Sequence, residues 1–505
     1  MEYFQYLITL FTSPDLIFLI GLGVFLGVYI GAIPGLSVTM AVSLLISFTF
    51  AWDVLPAIAI MIGIHVGGVY GGSRAAILLN IPGAPAAVAT TFDGYPLARL
   101  GLAGKALGIT AVYSVIGGLV GTVFLAVGAG IISSFALQVG SMEYFLLAVF
   151  ALFLVGTIGG SSLAKGLFSV ALGLFLGMIG LDFATGMPRF TFGNVGLLNG
   201  IDYVCAMIGL FGFSEALLQL RDLSKRSVRQ TIDRIVPKAR DVKRHMPLAL
   251  LSSTIGAFIG ALPGAGGDIA ALFAYGTAKK VVKNPERPFG EGAMEGIVAP
   301  ESANNAAVSG AYIPMLTLGI PGDAVAAVVI GALSIHGVTA GPTLIASRPD
   351  IFYLMVGGMV IANIFLVIFG LTGLKLFAKI VEVPKQILMP LIMILSVVGS
   401  YAINNNIYDV YWMVGFGILG YVFKHYGIPV APMVLGIILT GIIEENFRRA
   451  VLLSGSTPMG FVESMFGAPI TTVLSLALIF VVCKQAGFFT KIKARINRAK
   501  QRDTA

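Results

Sequence analysis

The chain has 505 residues, is 57% hydrophobic and only 11% charged, and has a mean hydropathy of +0.94, whereas soluble domains carry about 25% charged residues. No water-soluble core hides that much apolar surface, so the composition excludes a soluble globular protein and implies an all-α polytopic membrane protein. The net charge of +8 does not signify nucleic-acid binding, because the basic residues fall in short loops and a tail, as cytoplasmic segments of membrane proteins require.

At roughly 20 residues per crossing, the chain has room for about 11–12 transmembrane segments, counting re-entrant hairpins. Its 64 Gly suit close helix approach and broken helices. The first apolar run, 16–33, follows Glu2 and Asp15 with no Lys or Arg before it, unlike a signal peptide. The N-terminus is therefore expected to belong to the mature protein and to be periplasmic. Leu16 to Phe50 is interrupted by G-A-I-P-G at 31–35, and a second interruption, L-L-N-I-P-G, follows at 78–83. Beyond a basic linker the design returns, with G-A-L-P-G at 260–264 and L-G-I-P-G at 318–322. Gly31 and Gly260 are 229 residues apart, and Ile81 and Ile320 are 239 apart. The ten extra residues fall in the basic insert 279–292. A looser match links A-L-G-L-F-L-G at 171–177 with G-F-G-I-L-G at 415–420. The expected organisation is a first repeat over 1–220, a basic cytoplasmic linker over 221–245, and a second repeat over 246–450. A final transmembrane helix over 451–484 and a basic cytoplasmic tail over 485–505 complete it.

Charge orients the repeats. Residues 221–244 hold nine Lys and Arg, which places this linker in the cytoplasm. If each G-x-x-P-G segment is a hairpin returning to its own side, the second begins and ends inside and the first outside. All Lys and Arg except Arg74, Arg189, Arg348, Arg448 and Arg449 then become cytoplasmic. The expected fold is two inverted-topology repeats with re-entrant hairpins and discontinuous helices, and a cytoplasmic C-terminus touching anionic lipid of the bilayer.

Backbone opened inside a bilayer is tolerated only where protein or a water-filled cavity covers it. Breaks at matching places in two halves mark a transporter's binding site. The candidate substrate residues are Pro34, Gly35, Pro82, Gly83, Pro263, Gly264, Gly266, Pro321 and Gly322 at the breaks. Half-helix N-termini there would present N–H groups to a carboxylate. Ser37, Ser73, Asn80, Asn304 and Asn305 can donate without carrying charge into hydrocarbon, although Ser and Asn also join helices to each other. Arg74 is a charge at membrane depth, suited either to an anionic substrate or to a local pair with Glu301 or Asp268. Among the acids near the second-half breaks (Asp268, Glu295, Glu301 and Asp323), Asp268 and Glu301 are the coupling-ion candidates. His65 and His336 stand alone in sequence and read as structural. Cys205 and Cys483 form neither a disulfide framework nor a metal site, so no metal or cofactor is expected beyond a coupling Na⁺ or H⁺.

The expected function is that of a secondary transporter with a site for a small carboxylate, without enzymatic activity. Two alternatives belong to other classes. A passive anion channel would not need twofold-repeated broken helices. An intramembrane aspartyl protease would use A-G-G-D at 265–268 with Y-D at 408–409, but the first Gly of its G-x-G-D is Ala265, and the charge-based topology puts Asp409 on the other side. No zinc-protease or P-loop motif occurs.

The chain resembles the large membrane subunit of the tripartite tricarboxylate transporters, the TctA family, over nearly its whole length. The resemblance rests on G-A-I-P-G at 31–35, Y-G-G-S at 70–73, L-L-N-I-P-G at 78–83 and D-G-Y-P at 93–96. R-F-T-F-G at 189–193, A-L-P-G-A-G-G at 261–267 and A-P-E-S-A-N-N-A at 299–306 extend it, with L-G-I-P-G at 318–322 and G-A-L-x-x-H-G at 331–337. It implies a bacterial inner-membrane importer of citrate, other tricarboxylates or dicarboxylates, secondary active and driven by an ion gradient. It also implies two partners, a small membrane subunit and a periplasmic solute-binding protein, and leaves a homo-oligomer open. Arg74 departs from the family's uncharged residue after Y-G-G-S.

Overall fold

The computed structural model describes residues 2–33, 36–158, 162–182, 185–221, 235–372 and 385–485. Pro34, Gly35, most of the basic linker and residues 486–505 therefore lie outside the described residues. The first half runs α1 (Glu2–Thr12), α2 (Pro14–Ala32), α3 (Val38–Thr49), α4 (Val54–Leu79), a 3₁₀ turn (Pro85–Ala87), α5 (Val88–Arg99), α6 (Ala103–Ala136), α7 (Ser141–Ile158) and α8 (Leu163–Gly177). A small antiparallel hairpin, β1 (Gly180–Leu181) with β2 (Pro188–Arg189), precedes α9 (Tyr203–Met207). A π turn (Ile208–Phe213) leads from it into α10 (Ser214–Leu220). The second half runs α11 (Ala239–Gly260), α12 (Gly266–Val281), α13 (Glu295–Leu318), α14 (Ala324–Ile335), α15 (Leu344–Ser347), α16 (Pro349–Thr372), α17 (Lys385–Asn404), α18 (Ile407–His425) and α19 (Ala431–Leu453). Two further helices, α20 (Pro458–Ser464) and α21 (Pro469–Gln485), follow it.

Six described helices are long and apolar enough to cross a bilayer: α2, α4, α6, Tyr203–Leu220, α16 and most of α17. α20 and α21 form a further candidate span bent by 100°. The apolar helices α3, α8 and α14 are shorter, the length of half-crossings. On α6 the residues Leu119, Val123, Val127, Ile131 and Phe135 are exposed at steps of four, an apolar stripe suited to lipid. The fold is that of an all-α multi-pass membrane protein.

Helix breaks arise where the sequence opens the backbone. α4 ends at Asn80 and α13 at Gly319, both left-handed at φ 55° and 72°. A prolyl ring two residues later, Pro82 or Pro321, cannot continue the helix. After each of these ends the chain turns back onto its own helix. The Gly83 N–H donates to Gly72 at 3.2 Å, and the Gly322 N–H donates to Ala311 at 3.3 Å. Both partners lie 239 residues apart between the halves.

The glycine packing repeats with the same offsets. α2 lies so close to α4 that a Cβ on Gly27, Gly31 or Gly71 would collide with the carbonyl of Ile64, Gly68 or Val28. α11 lies equally close to α13, and a Cβ on Gly256, Gly260 or Gly310 would collide with the carbonyl of Ala303, Ala307 or Ala257. Each second-half residue stands 229 or 239 positions after its counterpart. The duplication read in the sequence is thus a duplication of contacts, with small residues allowing the backbones together.

Two compact units divide the chain, one of residues 1–137 and 201–426, the other of 138–200 and 427–505. In the smaller unit α7 and α8 pack with α19, and Gly173 of α8 abuts the Met433 carbonyl. Its charged cluster ties the hairpin down: Arg189 is bidentate on Glu444 at 2.6 and 2.9 Å, and Arg448 reaches Asp182 and Glu444. Within the larger unit α17 and α18 pack in the same way with the α9–π–α10 segment, Gly209 abutting the Met413 carbonyl. Each half therefore places its last helix against the other half's preceding pair, and the compact units cut across the sequence repeats.

Candidate functional site

α13 is the polar axis of the larger unit. Every residue from Glu295 to Thr317 is buried, although the helix carries two Glu, two Asn and two Pro. Glu301, fully buried, accepts hydroxyl hydrogen bonds from Ser73 of α4 at 2.5 Å, from Thr90 of α5, and from Ser114 of α6 at 3.1 Å. Three helices of the first half thus converge on one acid of the second. Of those hydroxyls the sequence singles out Ser73 alone. Thr90 and Ser114 carry no such signal, and no spacing rule brings them to residue 301.

One turn further along α13, Asn304 is fully buried with neither amide atom hydrogen-bonded among the described residues. Its Oδ1 lies 3.1 Å from the place a Cβ on Gly267 would take, so the amide faces the first turn of α12. Ala86 of the 3₁₀ turn approaches the same point. The second break of the first half and the first break of the second half meet there. Asn305 donates to the Glu301 carbonyl at 3.2 Å, while its Oδ1 and the Ser302 hydroxyl have no hydrogen-bond partner among the described residues.

The two halves differ at their helix starts. Ser37 is the N-cap of α3, and its hydroxyl accepts the Met40 N–H at 3.0 Å. The position 229 residues on is Gly266, and α12 has no side-chain cap. Gly266 is left-handed, φ 59°, and a Cβ there would lie 3.3 Å from that of Asp323. One half-helix start is closed by its own side chain, and its counterpart is open beside an unpartnered amide. Asp268 sits exposed in the same first turn, within electrostatic reach of Asp323.

Other expected residues fall as follows. Gly83 and Gly322 are packed against backbone, and their N–H groups already donate to carbonyls. Pro321 is buried, Pro82, Pro263 and Gly264 are half-buried, and Asn80 is exposed. Arg74 is fully buried and turned toward the end of α16, where its Nη2 donates to Phe369 at 2.7 Å and Gly370 at 3.1 Å. Its guanidinium also stands over the Tyr70 ring. These partners are carbonyls at a helix C-terminus, where a cation is favoured, in place of the carboxylates of Glu301 or Asp268. His65 is less isolated than its sequence neighbours suggest, since Nε2 lies 3.4 Å from Asp323 and Nδ1 lies 3.1 Å from the Tyr312 hydroxyl. Asp409 is bonded by Asn404, so its described surroundings differ from those of Asp268. No cluster of three metal-ligating side chains exists among the described residues. A cavity of about 400 Å³ lies at the N-terminal ends of α11 and α13, bordered by Arg244, His245, Leu248, Val282 and Glu295, away from the breaks.

Paired helix breaks around a buried polar helix define a multi-pass membrane protein built as transporters are. The family model described as "Tripartite tricarboxylate transporter TctA family" matches residues 17–435, and the chain belongs to that family. The family is one of transporters, which implies a large membrane subunit working with a small membrane subunit and a periplasmic binding subunit. The chain is similar to an "Uncharacterized 52.8 kDa protein in TAR-I ttuC' 3'region" of Agrobacterium vitis, 38% identical over 84% of this chain and 85% of the relative. It is also similar to an "Uncharacterized protein in TAR-II ttuC' 3'region" of the same organism, 41% identical over 45% of this chain and 92% of the relative. No solved structure matches it.

Proposed function

We propose that this chain is the permease of an ion-gradient-driven importer of small di- or tricarboxylates in a bacterial inner membrane. One carboxylate group of the substrate lodges at the open start of α12, held by backbone N–H groups and by Asn304. The observation that supports this is the Asn304 amide, fully buried with no hydrogen-bond partner among the described residues and facing that uncapped turn. Burying an amide without hydrogen bonds costs about 1–3 kcal/mol, and a bound carboxylate relieves the donor part of that penalty by accepting an N–H of Asn304 Nδ2, with the amide turned so that Nδ2 meets it. The peptide dipoles of a helix start favour an anion in the same place.

Asp268 lies in that turn, so the anion must arrive with positive charge, and Asp268 and Glu301 are the groups able to take it up. The binding protein delivers the substrate from the periplasm, the inverted halves alternate their opening, and the site then faces the cytoplasm. The test is uptake of labelled citrate and malate into proteoliposomes holding the permease and its small subunit, with binding protein and imposed H⁺ or Na⁺ gradients. Accumulation above the outside concentration is the expected result. Simple equilibration would make the protein a channel, and cleavage of a membrane peptide without transport would make it a protease.

A further inference from the structure

Among the described residues no charged group bonds the Glu301 carboxyl. Its described partners are three neutral hydroxyls, on Ser73, Thr90 and Ser114. Several charged groups on the helices packed around α13 have other neighbours. On α4, Arg74 donates to Phe369 and Gly370, and His65 lies between Tyr312 and Asp323. Asp93 of α5 receives the N–H groups of Gly290, Gly292 and Ala293. Lys105 of α6 pairs with Asp241, and His245 of α11 lies 3.4 Å from Glu295. Asp268 of α12 and Asp323 at the head of α14 act on each other, and Lys279 of α12 stands over the Tyr275 ring.

The repeat supplies an independent observation. The counterpart of Glu301, 239 positions earlier, is Ile62, also fully buried. An apolar side chain therefore satisfies packing at this place in the duplicated fold, and the carboxyl is an addition to one half alone. An ionised carboxylate so buried costs several kcal/mol relative to its neutral form. Ser and Thr hydroxyls both donate and accept, so the same three can serve the acid or its anion. With hydroxyl oxygens in direct contact at 2.5 and 3.1 Å, a proton fits among them. A metal cation would have to push them apart.

We infer that Glu301 carries the coupling proton of the transport cycle. The O–H bond forms when the site opens to the periplasm and breaks when it opens to the cytoplasm, one proton per turnover with no redox change. Its two neighbours link that proton to the substrate. Asn304 stands one turn along the same helix and faces the start of α12. Ser73 follows Gly72, whose carbonyl holds the Gly83 N–H at the first half's second break. This inference rests on the transporter reading above.

Two measurements test it, one of which needs no substrate. Infrared difference spectra of the purified complex are expected to show the carbonyl band of a protonated carboxyl at neutral pH, shifted in heavy water and missing from Glu301→Gln. In proteoliposomes with labelled citrate as probe, Glu301→Gln is expected to lose at least tenfold of proton-driven accumulation and to lose the dependence of citrate movement on pH. Glu301→Ile, matching the residue of the other half, is expected to fold with a melting temperature near that of the native chain. A native spectrum without that band, or a Glu301→Gln spectrum that retains it, overturns the inference. Undiminished accumulation by Glu301→Gln, or accumulation driven by Na⁺ alone with the proton gradient collapsed, overturns it too. If the native complex moves no carboxylate, the transporter reading fails, and the infrared result still decides whether Glu301 holds a proton.

Discussion

By the 229-residue offset Gly266 stands in the second half where Ser37 stands in the first, and the hydroxyl that caps α3 has no counterpart at the start of α12. Ser37 closes the start of α3 with its own hydroxyl, whereas α12 begins without a side-chain cap beside the Asn304 amide. The duplicated scaffold is thereby asymmetric at this point, and it is here that the proposed anion site lies.

Restoring the cap should close the site. Gly266→Ser would offer α12 the hydroxyl that α3 has, while Gly266→Ala carries the same backbone strain, about 1 kcal/mol at a left-handed position. Citrate binding to the purified complex is expected to fall further in the Ser variant than in the Ala variant. Equal losses would show that the strain, not the cap, is responsible.

Close approach of helices predicts opposite fates for two glycines. Gly256→Ala puts a methyl group into the Ala303 carbonyl, forcing α11 from α13. A loss of about 1–3 kcal/mol is expected from overpacking, seen as a lower melting temperature. Gly276→Ala in α12 meets nothing within 4 Å and is expected to gain about 0.5–1 kcal/mol from helix propensity.

Asp93 fastens the loop before α13. Its Oδ1 accepts the N–H groups of Gly290, Gly292 and Ala293 at 2.8–2.9 Å, and its Oδ2 accepts the Tyr275 hydroxyl at 3.0 Å. Asp93→Asn loses the charge from these bonds, a change of about 1.5–3 kcal/mol. Hydrogen exchange across 283–293 is expected to quicken, with exchange in the smaller unit unaltered.

Arg74 anchors one helix to another. Arg74→Gln is expected to lower the melting temperature, because the carbonyls of Phe369 and Gly370 lose a charged donor. The citrate dissociation constant of the folded fraction should change little. A large rise in that constant at unchanged stability would return Arg74 to the substrate.

The sequence made the duplication legible because Pro and Gly interrupt apolar runs at fixed offsets, and those offsets reappear in the contacts of Gly27 with Ile64 and Gly256 with Ala303. Asn304 was legible for a related reason, being an amide in a hydrophobic stretch. The hydroxyl cradle around Glu301 was not, since Ser73, Thr90 and Ser114 come from three helices whose juxtaposition depends on tertiary packing. The same holds for His65, whose partners Tyr312 and Asp323 lie more than two hundred residues away. Arg74 read as either a substrate ligand or half of a local ion pair, because its depth in the membrane was visible while the end of α16 beside it was not.

The most direct test is to locate a transported carboxylate in the purified complex by electron cryo-microscopy, together with its binding to Asn304→Ala. The account predicts ligand density within hydrogen-bonding distance of Asn304 and the first N–H groups of α12, and affinity lowered about tenfold or more by the substitution, as loss of a hydrogen bond to a charged group implies. Density at the capped start of α3 or elsewhere, with native affinity in Asn304→Ala, would contradict it.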